Sequence, residues 1–207
     1  MAPSRIVMVS GFTAAGKTTH SRLLATALGW RYVSMSRIRR SYVVGSSSSE
    51  EEWIPEGDRL RSANTALDHE MDRRLAELVE SSDEPVVVDA WLQPWLCESK
   101  NAVRVWLHSD FSSRLLKAQV SRLRSGLRPS PVIRTTIADK DAFSVEHFRR
   151  LYGIEFGPDP DIFDLRLDNS EWIGEATIRA SDEGISRFAP IFNMHVDAIL
   201  QAGKDGT

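Results

Sequence analysis

The sequence predicts an α/β fold built on a parallel sheet with helices on both faces. Three observations lead there. The short apolar runs Ile6-Val7-Met8-Val9, Pro85-Val86-Val87-Val88-Asp89 and Ala102 to Leu107 read as strands, the second buried on both faces. Apolar residues at helical spacing alternate with them, and that alternation makes the sheet parallel. Directly after the first run stands Gly11-Phe12-Thr13-Ala14-Ala15-Gly16-Lys17-Thr18, a full G-x-x-x-x-G-K-[ST]. With 207 residues, 42% hydrophobic and 27% charged, the chain supports one substantial core, so residues 1–207 are read as a single domain.

The elements follow in order. Leu23, Leu24, Ala27 and Leu28 repeat at helical spacing after the glycine-rich loop, and Gly29 ends that helix. Tyr32-Val33-Ser34 reads as a second strand and Arg37 to Tyr42 as a helical turn. The polar run Gly45 to Glu52 reads as a loop or insertion. Leu60, Ala63, Leu67, Met71, Leu75 and Leu78 mark the apolar face of a long helix. Trp91-Leu92-Gln93-Pro94-Trp95-Leu96 is read as a loop after the strand at 85–89. A helix from about Ser112 to Arg124 leads into Gly126-Leu127-Arg128-Pro129-Ser130-Pro131, which Gly and Pro keep irregular. Phe143, Phe148, Leu151 and Tyr152 suggest a further helix, Phe163 to Leu167 a strand, and Ile185 to Leu200 a final amphipathic helix.

The loop after the first strand has the chemistry of a triphosphate cradle. Glycines let backbone N–H groups approach phosphate oxygens closely, and the helix N-terminus adds unpaired N–H groups and partial positive charge. The expected nucleotide-binding set is Gly11, Thr13, Ala14, Ala15, Gly16, Lys17, Thr18 and Thr19, with Lys17 reaching the β- and γ-phosphates and the Thr18 hydroxyl on Mg²⁺. ATP and Mg²⁺ are therefore the expected cofactors. In a parallel sheet ligands sit at the carboxyl ends of the strands, which puts Asp89 and Trp91 on the same rim as this loop.

Net charge of −3 conceals two opposed regions. Residues 50–84 hold 12 acids against 4 bases, and residues 114–150 hold 9 bases against 3 acids. The basic region is read as closing over phosphates rather than binding nucleic acid. One cysteine, Cys97, excludes an internal disulfide and is read as a small buried apolar residue. No apolar stretch approaches the roughly 20 residues that span a bilayer, so a cytoplasmic protein without membrane partners is expected. His20, His69, His108 and His195 carry no partner motif and are read as packing or surface residues. Monomer and homodimer both remain open.

These residues resemble the cytidylate kinase-like family of P-loop nucleoside monophosphate kinases. Besides the loop, Tyr32-Val33-Ser34-Met35-Ser36-Arg37-Ile38-Arg39-Arg40 resembles Y-x-S-T-G-D-I-x-R, and Val87-Val88-Asp89-Ala90-Trp91-Leu92 resembles V-I-D/E-G-R-L. Leu151-Tyr152-Gly153-Ile154-Glu155 and Phe163-Asp164-Leu165 resemble L-Y-G-I-D and Y-D-L. The resemblance implies a P-loop NTPase fold with five parallel strands, an acceptor-binding insert at about 36–82 and a lid at about 124–146. It implies acceptor contacts from Ser36, Arg40, Asp89 and Trp91, with Arg40 holding the acceptor phosphate and Asp89 organising Mg²⁺ through water.

Two departures bear on the chemistry. Trp91 stands where the family pattern has arginine, and the lid pattern R-E-x-S-D-x-x-R-Y is met by Lys140-Asp141-Ala142-Phe143-Ser144-Val145-Glu146-His147-Phe148. Lys140, Arg134 and Arg149 are the cations expected to serve the transferred group, with Trp91 and Trp95 read either as flat surfaces on which a base or aromatic acceptor stacks or as core or rim packing. The leading expectation is ATP- and Mg²⁺-dependent phosphoryl transfer to a small acceptor, foremost a pyrimidine nucleoside monophosphate (CMP or dCMP). A small-molecule or antibiotic phosphotransferase and a nucleotide-binding protein with decayed catalysis are the alternatives.

Overall fold

The computed structural model describes residues 5–34, Ser36, Ile38 and 65–205. Five strands, β1 (Ile6–Ser10), β2 (Arg31–Ser34), β3 (Val86–Asp89), β4 (Ala102–His108) and β5 (Leu165–Asp168), form one sheet in the order β2-β3-β1-β4-β5. Every pairing is parallel. The helices are α1 (Lys17–Leu28), α2 (Thr65–Glu80), α3 (Gln93–Leu96), α4 (Phe111–Arg124), α5 (Ile133–Tyr152) and α6 (Ile178–Asp205), with a short 3₁₀ turn at Ser170–Trp172.

The two-residue side-chain period of β1 sorts the core into layers. Val7 and Val9 face α1 and α6, where Leu24, Phe188, Phe192, Val196 and Leu200 complete one cluster. Met8 faces the other side, with Val33, Leu75, Val79, Val88 and Cys97. Each fully buried side chain of this size contributes about 1.5–3 kcal/mol. Cys97 is buried as expected, and burial pushes its thiol up to about 11, well away from reactivity at neutral pH. A third, largely aromatic cluster packs around Trp106 of β4: Leu92, Phe148, Phe156 and Phe163, with Phe12, Trp91 and Trp95 packed against them.

Three elements differ from the sequence reading. α5 begins at Ile133, ten residues before Phe143, so much of the expected lid is regular helix. Gln93–Leu96 forms a helical turn with proline in its first positions, where the missing N–H costs nothing. α6 starts at Ile178 and runs through Pro190. Most of the expected acceptor insert and Arg40 lie outside the described residues. Among the described residues, no helix is long and apolar enough to cross a membrane.

β1 lies between β3 and β4, so the loop that follows it leaves from the middle of the carboxyl edge. In register, Val9 stands beside Asp89 and Ser10 beside Trp106. The site grows from that position.

Candidate active site

The loop Gly11–Gly16 has the backbone its glycines suggest. Gly11 takes φ 150°, and a Cβ there would stand 2.4 Å from the Leu107 carbonyl oxygen of β4, so only glycine lets the chain leave the sheet at this point. Gly16 takes φ 94° and caps α1 with no side-chain hydrogen bond. The first N–H groups of α1 are thereby left without a side-chain cap, as an anion-binding helix start requires. Lys17 is buried, and its ammonium donates to the Gly11 and Phe12 carbonyls at 2.8 and 2.9 Å. Burial lowers its pKa to about 8, against the opposing pull of Asp89 and Asp141.

Thr18 and Asp89 meet at the expected metal position. The Thr18 hydroxyl donates to Asp89 Oδ2 at 2.5 Å, and the Tyr32 hydroxyl donates to the same oxygen at 3.2 Å. Burial, and then the Asp89 charge, raise the Tyr32 phenol, so it stays a donor. A hydroxyl and a carboxylate side by side are hard oxygen donors suited to Mg²⁺, which keeps several waters and takes its other ligands from phosphates. Among the described residues no cluster of three or more His, Cys, Asp or Glu forms a dedicated metal cage.

Four residues that the sequence reading passed over hold the loop from outside. Asp141 of α5 accepts from the Thr13 N–H at 3.1 Å, and buried Arg114 of α4 donates to both Asp141 and, at 3.1 Å, the Thr13 carbonyl. Asn169, just past β5, donates to the Ala15 carbonyl at 2.8 Å and receives Lys117 on its own amide oxygen at 2.5 Å. Burial lowers Lys117 to about 8. For Asp141 the lid alignment was a usable signal, since it stands beside Lys140. Asn169 had only its place at a strand's carboxyl end, and Arg114 had none.

The expected substrate cations are distributed unevenly. Lys140 reaches the site, its ammonium 5.8 Å from the Trp91 ring centroid, over which Lys17 also stands at 5.1 Å. Arg134 is exposed and lies over Phe111 at 5.2 Å. Arg149 is exposed and bonded to Glu155 at 2.7 and 2.8 Å. Nine residues separate it from Lys140, which places the two on opposite faces of α5. Ser36 shares a 3.1 Å hydrogen bond with Ser34 on the β2 side of the rim. Trp91 is stacked on Phe156, with centroids 5.2 Å apart at 14°, while Trp95 meets Phe163 edge-on. Both tryptophans thus belong to the aromatic cluster.

Beside the loop opens a cavity of about 740 Å³, bounded by Thr13 to Thr19 and by Arg122, Leu127, Asn169, Trp172 and Ile173. It lies in the range of ligand pockets, polar at the loop and apolar beyond. The arrangement offers one anion cradle, one hard-metal position and one roomy cleft.

A model of the cytidylate kinase-like family matches residues 6–171. The cytidylate kinase of Aeropyrum pernix is 31% identical over 180 residues, spanning 87% of this chain and 98% of its own length. That of Halobacterium salinarum is 25% identical over 167 residues, 81% of this chain and 82% of its own. A solved structure from Chloroflexus aurantiacus superposes with a TM-score of 0.54 at 18% identity, covering 98% of this chain and 99% of that one. TT1252 from Thermus thermophilus gives 0.51 at 16% identity, covering 97% and 98%. The structural likenesses concern the fold; the sequence matches go further. The chain belongs to the cytidylate kinase-like family and is a phosphotransferase on a P-loop fold.

Proposed function

We propose that this protein transfers the γ-phosphoryl group of ATP to a pyrimidine nucleoside monophosphate, CMP or dCMP, giving the diphosphate. One observation carries the donor half: Lys17, the uncapped start of α1, and the Thr18–Asp89 pair converge at the loop. The acceptor half is supported by relatives of 22–31% identity that are cytidylate kinases.

In this reading Lys17 exchanges its two loop carbonyls for phosphate oxygens, and its charge offsets the negative charge that spreads over the transferred group. Thr18 and Asp89 would hold Mg²⁺, which supplies charge neutralisation between the phosphates when bound. An acceptor phosphate oxygen forms the new bond to the γ-phosphorus, and the bond to the bridging oxygen breaks with its electron pair leaving on ADP. Lys140 faces the same space from α5 and is the lid cation in this scheme. Arg134 stands further out, and Arg149, engaged by Glu155, takes no part. Arg40 and Ser36 are assigned to the acceptor side.

A second reading has its own observation. Trp91 replaces an arginine of the family pattern, and one face is already covered by Phe156. A hydroxyl acceptor without a phosphate would need no such arginine. An ADP-release assay with Mg²⁺-ATP against every common ribo- and deoxynucleoside monophosphate separates the readings. Turnover confined to CMP or dCMP and lost in Lys17→Ala is expected. Silence with all nucleotides, followed by turnover of a non-nucleotide alcohol, would replace the first reading with the second; ATP binding without any turnover would leave a binding protein.

A further inference from the structure

Trp91 has more neighbours than a residue left over from a lost arginine requires. Phe156 stacks against one face, Phe148 meets the ring edge-on at 5.9 Å and 71°, and the Ser10 hydroxyl donates to the Trp91 carbonyl at 2.8 Å. Lys17 and Lys140 both stand over the indole, at 5.1 and 5.8 Å from its centroid. One comes from the start of α1 and the other from the middle of α5. Two ammonium groups over one ring repel, and Lys140 does act against the charge on Lys17, behind the larger opposing pull of Asp89 and Asp141. An indole within about 6 Å of a cation attracts it through the negative face of its π system, most strongly of the aromatic side chains and more so when water is excluded.

We propose that Trp91 is a positioning residue: its π face gathers the phosphate-loop lysine and the lid lysine at the place where phosphoryl transfer concentrates negative charge. An arginine at this position would add a third cation to two. The indole offers instead a neutral surface that offsets the repulsion of the two lysines before any nucleotide arrives. The other face is held flat by Phe156 and the backbone is pinned by Ser10, so the ring has one orientation to offer. With Phe156 stacked on the ring and two lysines standing over it, Trp91 offers a substrate base less open surface than an unpartnered indole would. The proposal rests on the kinase reading for its purpose, while the geometry of the two lysines does not depend on it.

The test uses ring electronics rather than ring size. The chain has six tryptophans, so fluorinated tryptophans bearing one to four fluorines are placed at position 91 alone by stop-codon suppression. Fluorine withdraws charge from the ring face with little change in shape, so thermal melting should stay constant. The dissociation constant for Mg²⁺-ATP is expected to rise, and kcat to fall, stepwise with each fluorine, about tenfold across the series for a desolvated contact of this kind. Trp91→Phe should fall between the native ring and Trp91→Leu. A flat series in both constants overturns the proposal while leaving the kinase reading intact.

If the native protein binds no Mg²⁺-ATP, the kinase reading fails, and NMR of the ligand-free protein decides the positioning. Ring-current-shifted ε-methylene resonances from Lys17 and Lys140 sustain it. Resonances at ordinary positions overturn it.

Discussion

The phosphate loop is held on two sides, and the two are built from different chemistry. On the α5 side Thr13 is gripped by a buried ion pair, Asp141 taking its N–H and Arg114 its carbonyl. On the β5 side the Ala15 carbonyl rests on the neutral amide of Asn169, which Lys117 steadies from the edge of the cavity. A buried pair is costly to break because the survivor is left charged and dry, whereas one neutral hydrogen bond is worth about 1 kcal/mol net. The α5 grip therefore ties the loop to the element that carries Lys140, while the β5 grip fixes the loop to the sheet. One couples α5 to the loop; the other fastens the loop at the edge of the sheet.

Breaking the α5 grip should have the largest effect. Asp141→Ala is expected to cost about 3–5 kcal/mol in urea unfolding, because Arg114 is stranded, and to lower kcat as Lys140 loses its register. Adding Arg114→Met to Asp141→Ala should return a good part of that stability and none of the kcat. Equal recovery of both would mean that the pair only supports the fold.

Acidification should weaken the packing of α1 on α6, beside the loop. His20 packs edge-on against Phe188, and burial lowers its pKa to about 4 from its ordinary value near 6.5. The unfolded chain then binds the proton first, so stability present above about pH 6.5 is lost as the pH falls toward 4. The loss amounts to up to about 3 kcal/mol at 1.36 kcal/mol per pKa unit. In His20→Phe the slope of melting temperature over this window should flatten by that group's share. An unchanged slope would place the charge loss elsewhere.

Asn169→Ala should cost less than either, about 1–3 kcal/mol for the stranded Ala15 carbonyl and Lys117 ammonium, with a higher KM for ATP and a nearly unchanged kcat. A kcat collapse would erase the distinction between the two grips. Arg149→Ala marks the small end. Its ion pair with Glu155 is exposed, so a stability change under about 1 kcal/mol and no effect on turnover are expected. A large rate loss there would return Arg149 to the catalytic set.

Much of the fold was legible because its signals are local. The two-residue and 3.6-residue periods, the glycines of the loop and the apolar strands all act between near neighbours, and the structure places those elements where the periods predict. The candidate site was legible only where a motif spans it. Lys17, Thr18 and Asp89 carried recognisable patterns and do meet. The charge count of 114–150 misled in part. Arg114 is spent on Asp141, Arg124 on Asp182 and Arg149 on Glu155, so three of the nine bases are held in ion pairs within the fold.

By itself the sequence determined a parallel α/β sheet, a triphosphate loop at its carboxyl edge, and the Lys17–Thr18 pair. These follow from backbone freedom at glycine, from side-chain periodicity, and from residues adjacent in the chain. Only the tertiary structure decided which distant residues grip that loop and which cation of α5 stands near it. Asp141 meets Thr13 across 128 positions and Asn169 meets Ala15 across 154. Such contacts depend on where the α4–α5 hairpin and the end of β5 come to rest against the sheet. That is set by packing summed over the whole core, and it leaves no periodic trace in the residues that finally touch.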